Sequence, residues 1–118
     1  MSRRSERIAE LLRSEISLVL HQEVTDPRVD LVTLTRVDVA PDLSHAVVFW
    51  STVGGREDRE LGEVAKGLVS ARGFIRRQLA RRLSLRRMPE PRFRHDPSLA
   101  LGSRTLEVLE DVSNGENT

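Results

Sequence analysis

Between residues 5 and 22 apolar side chains fall at Ile8, Leu11, Leu12, Ile16, Val19 and Leu20, with charged residues between them. Steps of three and four place these positions on one stripe of a helix and the charges on the other side. The helix must end before Asp26-Pro27, because proline disfavours helical geometry in the residue before it and cannot continue a helix from inside. Leu31 to Val39 is rich in β-branched residues and closes on the alternation Val37-Asp38-Val39, which predicts a strand. Leu34 and Val37 lie three apart; this breaks the period of two and predicts a bulge near Thr35. The cluster Ala40-Pro41-Asp42-Leu43-Ser44 predicts a turn, and His45 to Val53 a second strand paired with the first as a hairpin.

Gly54-Gly55 ends that strand. From Glu57 onward Leu61, Val64, Ala65, Leu68 and Val69 form a second helical stripe, with Glu57, Asp58, Glu60 and Glu63 near the end where the helix dipole favours negative charge. Around Ser70-Ala71-Arg72-Gly73 the stripe loses phase, which predicts a kink or a left-handed residue at Gly73 and a separate third helix beyond it. On that helix Ile75, Leu79 and Leu83 share one face, Arg77, Arg81 and Arg82 project from the other, and Arg76 lies at the boundary. Met88-Pro89-Glu90-Pro91 cannot be helical, and Arg92-Phe93-Arg94 alternates as a short third strand with Phe93 inward. Asp96-Pro97 fits an N-cap followed by proline at the first helical position, and Leu99, Leu106, Leu109 and Val112 predict a terminal helix. The order α-β-β-α-(kink)-α-β-α predicts one α+β domain over residues 3–112, a three-stranded sheet with helices on one face, followed by a flexible polar tail at 113–118.

The chain has 118 residues, enough for one core and too few for two domains. It has no cysteine, which excludes disulfides and thiolate chemistry. It has no apolar run of about 18 residues and no signal-peptide pattern, since Glu10, Arg13 and Glu15 interrupt the first apolar stretch; a cytoplasmic protein is expected.

Charge changes the picture more than composition does. Arg72, Arg76, Arg77, Arg81, Arg82, Arg86, Arg87, Arg92 and Arg94 share 23 residues with one acid, Glu90. That segment carries nine minus one, or +8, in a chain whose formal total is +1, so the remainder sums to −7. Such a concentrated field attracts a polyanion, and arginine offers phosphate a two-pronged fork of donors. The competing reading is a solvated helix face in a chain that uses arginine for lysine nearly everywhere, Lys66 being its one lysine. That preference does not explain why half of the arginines cluster with a single acid. Arg77, Arg81 and Arg82 are the leading candidates for phosphate contact, then Arg72 and Arg76 at the kink, then Arg86, Arg87, Arg92 and Arg94. Arg92 and Arg94 could instead pair with helix acids, and Arg3, Arg4 and Arg7 could extend the basic surface.

The aromatic residues give little support to base stacking. Trp50 shares strand parity with Ala46 and Val48 and is expected in the core, Phe49 could be exposed, and Phe74 is expected to plug the kink. An enzyme would need a constellation, and the candidates are His21, Glu23 and Asp26, or His95 with Asp96, as ligands of a divalent metal for phosphodiester cleavage. No ligand spacing recurs, Asp96 is better explained as a cap and Asp26 as a loop former, so neither catalysis nor a metal or other cofactor is expected.

The order of elements resembles a type II KH fold, a nucleic-acid-binding architecture. Asp26-Pro27-Arg28, Val37-Asp38-Val39, Asp42-Leu43, Ala71-Arg72-Gly73-Phe74-Ile75-Arg76, Pro89-Glu90-Pro91-Arg92-Phe93 and Asp96-Pro97-Ser98-Leu99 with Gly102 and Arg104 resemble, in order and spacing, the bacterial ribosome-binding factor A family. A typical KH domain clamps nucleotides with a Gly-x-x-Gly loop, whereas Ser70-Ala71-Arg72-Gly73 lacks the first glycine and resembles the family's Ala-x-Gly interhelical kink at Ala71, Arg72 and Gly73. The resemblance implies a non-enzymatic, monomeric assembly factor. Its implied partner is the small (30S) ribosomal subunit with its 16S rRNA, bound during late maturation, and its implied roles are in pre-rRNA processing and cold adaptation. A general KH-like nucleic-acid-binding module and a metal-dependent ribonuclease are the alternatives.

Overall fold

The computed structural model describes residues 3–52 and 57–97. The expected terminal helix and polar tail, and the Gly54-Gly55 break, lie outside the described residues. The elements are α1 (Arg3–Gln22), a single 3-10 turn (Pro27–Val29), β1 (Val32–Val39), β2 (His45–Thr52), α2 (Asp58–Arg82) and β3 (Glu90–His95). The sheet runs β1-β2-β3, with β1 and β2 antiparallel and β3 parallel to β2. A parallel pair needs a long crossover, and α2 supplies it. Pro91 is tolerated because β3 is an edge strand.

One face of the sheet forms the core. Val32, Leu34, Val37, Val39, Ala46, Val48 and Trp50 meet Leu12, Ile16, Val19 and Leu20 of α1 and Val64, Leu68, Ala71, Ile75 and Leu79 of α2 in one buried cluster. The bulge expected near Thr35 is present: Leu34 faces Trp50 and Arg36 faces Phe49, leaving Thr35 as the extra residue. It keeps Leu34 and Val37 both inward despite their odd spacing. Thr35 Oγ1 donates to Asp96 Oδ2 at 2.7 Å, and the Asp96 amide donates to Trp50 O at 2.7 Å, which ties the end of β3 to the bulge. Trp50 packs its ring against His95, with centroids 4.7 Å apart.

Two expectations are corrected. Leu11, assigned to the inward stripe of α1, is 40% exposed, and Ala9 is buried instead. At 100° per residue Ala9 lies within about 40° of the stripe's centre and Leu11 about 120° from it. The two helices expected on either side of Ala71-Arg72-Gly73 are one continuous helix, α2, and Gly73 is not left-handed. The buried positions Val64, Leu68, Ala71, Ile75 and Leu79 stay in phase throughout. Only the exposed Val69 departs from that line, and it produced the apparent slip. The helix ends at Leu83, whose backbone is extended while its amide still donates to Leu79 O.

The hairpin turn is set by Asp42, whose carboxylate accepts from the Ser44 amide at 3.0 Å, while the Leu43 amide donates to Ala40 O. Leu43 sits at φ 61°, a left-handed conformation costing about 1–2 kcal/mol for a residue with a Cβ. Packing of its half-buried side chain on the core offsets that cost.

The Asp26-Pro27-Arg28 segment is a closed unit. Asp26 caps the 3-10 turn by accepting from the Arg28 amide at 3.0 Å, and the Arg28 guanidinium returns to the same carboxylate at 2.6 Å. The Arg28 side chain, and next its amide, hold the Asp26 carboxyl below its ordinary range. α2 meets this turn at Gly67, where a Cβ would stand 3.0 Å from Val29 Cγ1 and 3.1 Å from Arg28 Cβ.

Opposite effects are therefore expected of two alanine substitutions in α2, read as thermal midpoints. Gly67→Ala presses on Val29, which is fully buried and has little room to give, so an overpacking cost of about 1–3 kcal/mol is only partly offset by the helix-propensity gain of about 0.8–1 kcal/mol and the protein is destabilised. Gly62→Ala meets nothing within 4 Å and stabilises by about 0.8–1 kcal/mol through helix propensity. Because the folded-state pKa of Asp26 is depressed, its contribution is present above the unfolded carboxylate value of about 4 and is lost as pH falls through the folded value. In acid-unfolding titrations Asp26→Asn should flatten the stability loss below about pH 4.

Candidate nucleic-acid interface

The in-phase burial of α2 dictates where its arginines point. Taking Ile75, Leu79 and Leu83 as the inward direction, Arg77 and Arg81 lie about 160° away, Arg76 and Arg82 about 60°, and Arg72 about 20°. Burial agrees with this order. Arg76, Arg77 and Arg81 are exposed, and none makes an ion pair with any described residue. Ser70, Gly73 and Ala80 share their side of the helix and are also exposed, so small residues flank the arginines and leave the ridge open to close approach. A Cβ on Gly73 would lie 3.3 Å from Arg77 Nη1, which places the guanidinium back over the glycine, one turn away.

Arg82 behaves differently from the expectation that grouped it with Arg77 and Arg81. Its Nε donates to Glu15 Oε2 at 3.0 Å and its Nη1 to Glu23 Oε2 at 3.5 Å, so it clamps the C-terminal end of α2 to α1. The wheel angle explains this: Arg82 leaves the helix near the edge of the buried stripe, where α1 lies. Arg72, closest to the stripe, is half-buried and lies 3.9 Å from Glu90 at the start of β3. Glu15 of α1 and Glu23 just past its end were visible in sequence, but nothing in their spacing pairs them with a residue some sixty positions away.

The remaining arginines leave the helix behind. Arg86 and Arg87 are exposed on the connection to β3, and the charge of Arg87 is a minor contributor, after two hydrogen bonds from Ser44, to the lowered pKa of Asp42. That connection is held by half-buried Leu83, Leu85 and Met88 and by fully buried Pro89. Arg92 and Arg94 are exposed on β3 and make no ion pair with any described residue, so the expected alternative of pairing with helix acids is not what the structure holds. Phe93 between them is half-buried against the core, and Phe74 likewise, beside Val24 and Ala71.

The residues weighed as metal ligands are occupied elsewhere. His21 Nε2 donates to Val32 O at 2.7 Å, Glu23 receives Arg82, and Asp26 holds Arg28. Among the described residues no three His, Cys, Asp or Glu side chains are grouped so as to hold a metal. None of the described helices is long and apolar enough to cross a membrane.

The family model described as "Ribosome-binding factor A" matches residues 4–109. A ribosome-binding factor A from Aromatoleum aromaticum is 41% identical over 109 residues, covering 92% of this chain and 84% of that one. The solution structure of a Thermotoga maritima protein, TM0855, described as a putative ribosome binding factor A, superposes with a TM-score of 0.68 at 31% identity, covering 80% of this chain and 88% of that one. A homology model of the Thermus thermophilus ribosome binding factor A, fitted into a cryo-EM map of a 30S complex, shares the fold with a TM-score of 0.57 at 23% identity, over 83% of this chain and 97% of that one. With nearly the whole chain matched in sequence and the same helix-covered sheet in solved structures, the protein belongs to the ribosome-binding factor A family.

Proposed function

We propose that this protein binds the small ribosomal subunit and its 16S rRNA during late maturation and assists processing of the precursor rRNA, acting as a cytoplasmic, monomeric, non-enzymatic factor. The observation that carries the proposal is the exposed ridge of Arg76, Arg77 and Arg81, paired with no described acid, in a chain of a family named for ribosome binding. The Thermus thermophilus relative was fitted into a map of its complex with the 30S subunit, which supports the same partner here. With no described acid to release, these arginines are preorganised to meet the phosphates of a structured RNA backbone. Ser70, Gly73 and Ala80 let that backbone come near the helix. Arg86 and Arg87 extend the contact, whereas Arg82 and Arg72 serve it by fixing the helix end and the start of β3.

Co-sedimentation with purified 30S subunits tests this. Arg77→Glu with Arg81→Glu should abolish co-sedimentation while leaving the thermal midpoint little changed; unaltered binding would sink the proposal. Arg82→Ala should leave most of the affinity and lower the midpoint only slightly, because its pairs with Glu15 and Glu23 are partly exposed and contribute about 0–1 kcal/mol. Affinity should fall with salt, with a log-log slope of magnitude about 0.7–0.9 per phosphate neutralised.

A further inference from the structure

We infer that the protein carries a second RNA contact, on the side of the sheet turned away from the helices, centred on Arg36, Phe49 and Arg94. These three residues form one registered row across the sheet: Arg36 faces Phe49 between β1 and β2, and Phe49 faces Arg94 between β2 and β3. Their chain neighbours Val37, Val48 and Phe93 turn toward the core, so the row itself faces outward. The bulge at Thr35 makes this row possible. Without the extra residue, strand parity would set Arg36 on the same face as Leu34.

The chemistry of the row fits unpaired nucleotides. The Arg36 guanidinium carbon stands 4.3 Å from the centre of the Phe49 ring, and its side chain is 63% exposed. A guanidinium held on an aromatic ring is a ready platform on which a base can stack, since arginine stacks on π-faces as readily as it pairs with phosphate. Arg94, one strand further on, and Arg92 in the next row are exposed and pair with no described acid, which leaves their forks for the phosphates. Three described acids lie on or beside this face and each is engaged: Asp38 lies 3.2 Å from Arg36, Glu90 lies 3.9 Å from Arg72, and Asp96, just beyond β3, accepts from Thr35 Oγ1 at 2.7 Å. An acidic protein surface would use the arginines but leave the ring platform idle, so RNA is the better fit.

Among the described elements the row and the α2 ridge lie on opposite sides of the packed sheet and helices, so one continuous duplex cannot follow both. The protein would therefore bridge two RNA segments. This inference rests on the proposed binding to the small subunit, and its test separates the two. Affinity for 30S subunits is measured across a salt series for Arg92→Ala/Arg94→Ala, for Arg36→Ala, and for the helix pair Arg77→Ala/Arg81→Ala, with thermal midpoints as the folding control. Each pair should reduce the magnitude of the salt slope by about one to two, roughly one per lost phosphate contact. Arg92→Lys/Arg94→Lys, which keeps the charge, should retain most of the slope and guards against a folding defect. Because the chain has no cysteine, Thr33→Cys on the outer sheet face and Ala80→Cys on the ridge can each carry a single iron chelate for directed rRNA cleavage. Separate cleavage sites from the two positions support bridging. An unchanged slope in the sheet-face alanine variants, with cleavage from position 80 alone, overturns the inference and leaves the proposed function standing. Loss of effect on both faces overturns both.

Discussion

The packing of one stripe of α2 against the sheet and α1 is the constraint from which the rest of the molecule follows. Val64, Leu68, Ala71, Ile75 and Leu79 keep a single direction through the helix Asp58–Arg82. Truncating any of the larger ones would cost about 2–5 kcal/mol. Gly62, Gly67 and Gly73 each oppose helix by only about 0.8–1 kcal/mol. Packing wins, the helix stays whole, and every other side chain on it is aimed by its angle from the buried stripe.

That aim divides the arginine cluster into groups with different work. Arg77 and Arg81 stand opposite the core and have nothing to neutralise them within the described protein. Arg82, only four residues beyond Gln78, leaves from the stripe's edge and is taken up by Glu15 and Glu23. An exposed ion pair of this kind contributes little by itself. Its two acceptors, however, fix which way the helix end faces, and the ridge inherits that orientation.

Much of this was legible from local pattern. The bulge at Thr35 was written in a broken alternation, the turn in Asp42 to Ser44, and the third strand in the alternation Arg92-Phe93-Arg94. What pattern could not carry was anything decided by a distant partner. Leu11 and Ala9 compete for the same face, and only the angle to the packed stripe decides between them. Val69, apolar yet exposed, mimicked a phase slip and made Gly73 look like a break. The seat of Val29 against Gly67, the reach of Arg82 to α1, and the bond from Thr35 to Asp96 join residues between 38 and 67 positions apart. No periodicity records such contacts.

The segregation of charge is open to an explanation from helix electrostatics alone, and the structure limits how far that explanation reaches. Asp58 and Glu60 occupy the first turn of α2, and Arg81 and Arg82 the last, as the helix dipole favours. The dipole's influence fades within a turn of each end, so it does not account for Arg76 and Arg77. It has no bearing on Arg86 and Arg87, which follow the helix, or on Arg92 and Arg94 in a strand. None of those six, nor Arg81, has an ion pair to any described acid. Keeping so many like charges close on a small domain is unfavourable for folding. Among the described residues neither helix stability nor ion pairing offsets that cost, which supports the proposed contact with a polyanion that neutralises it on binding.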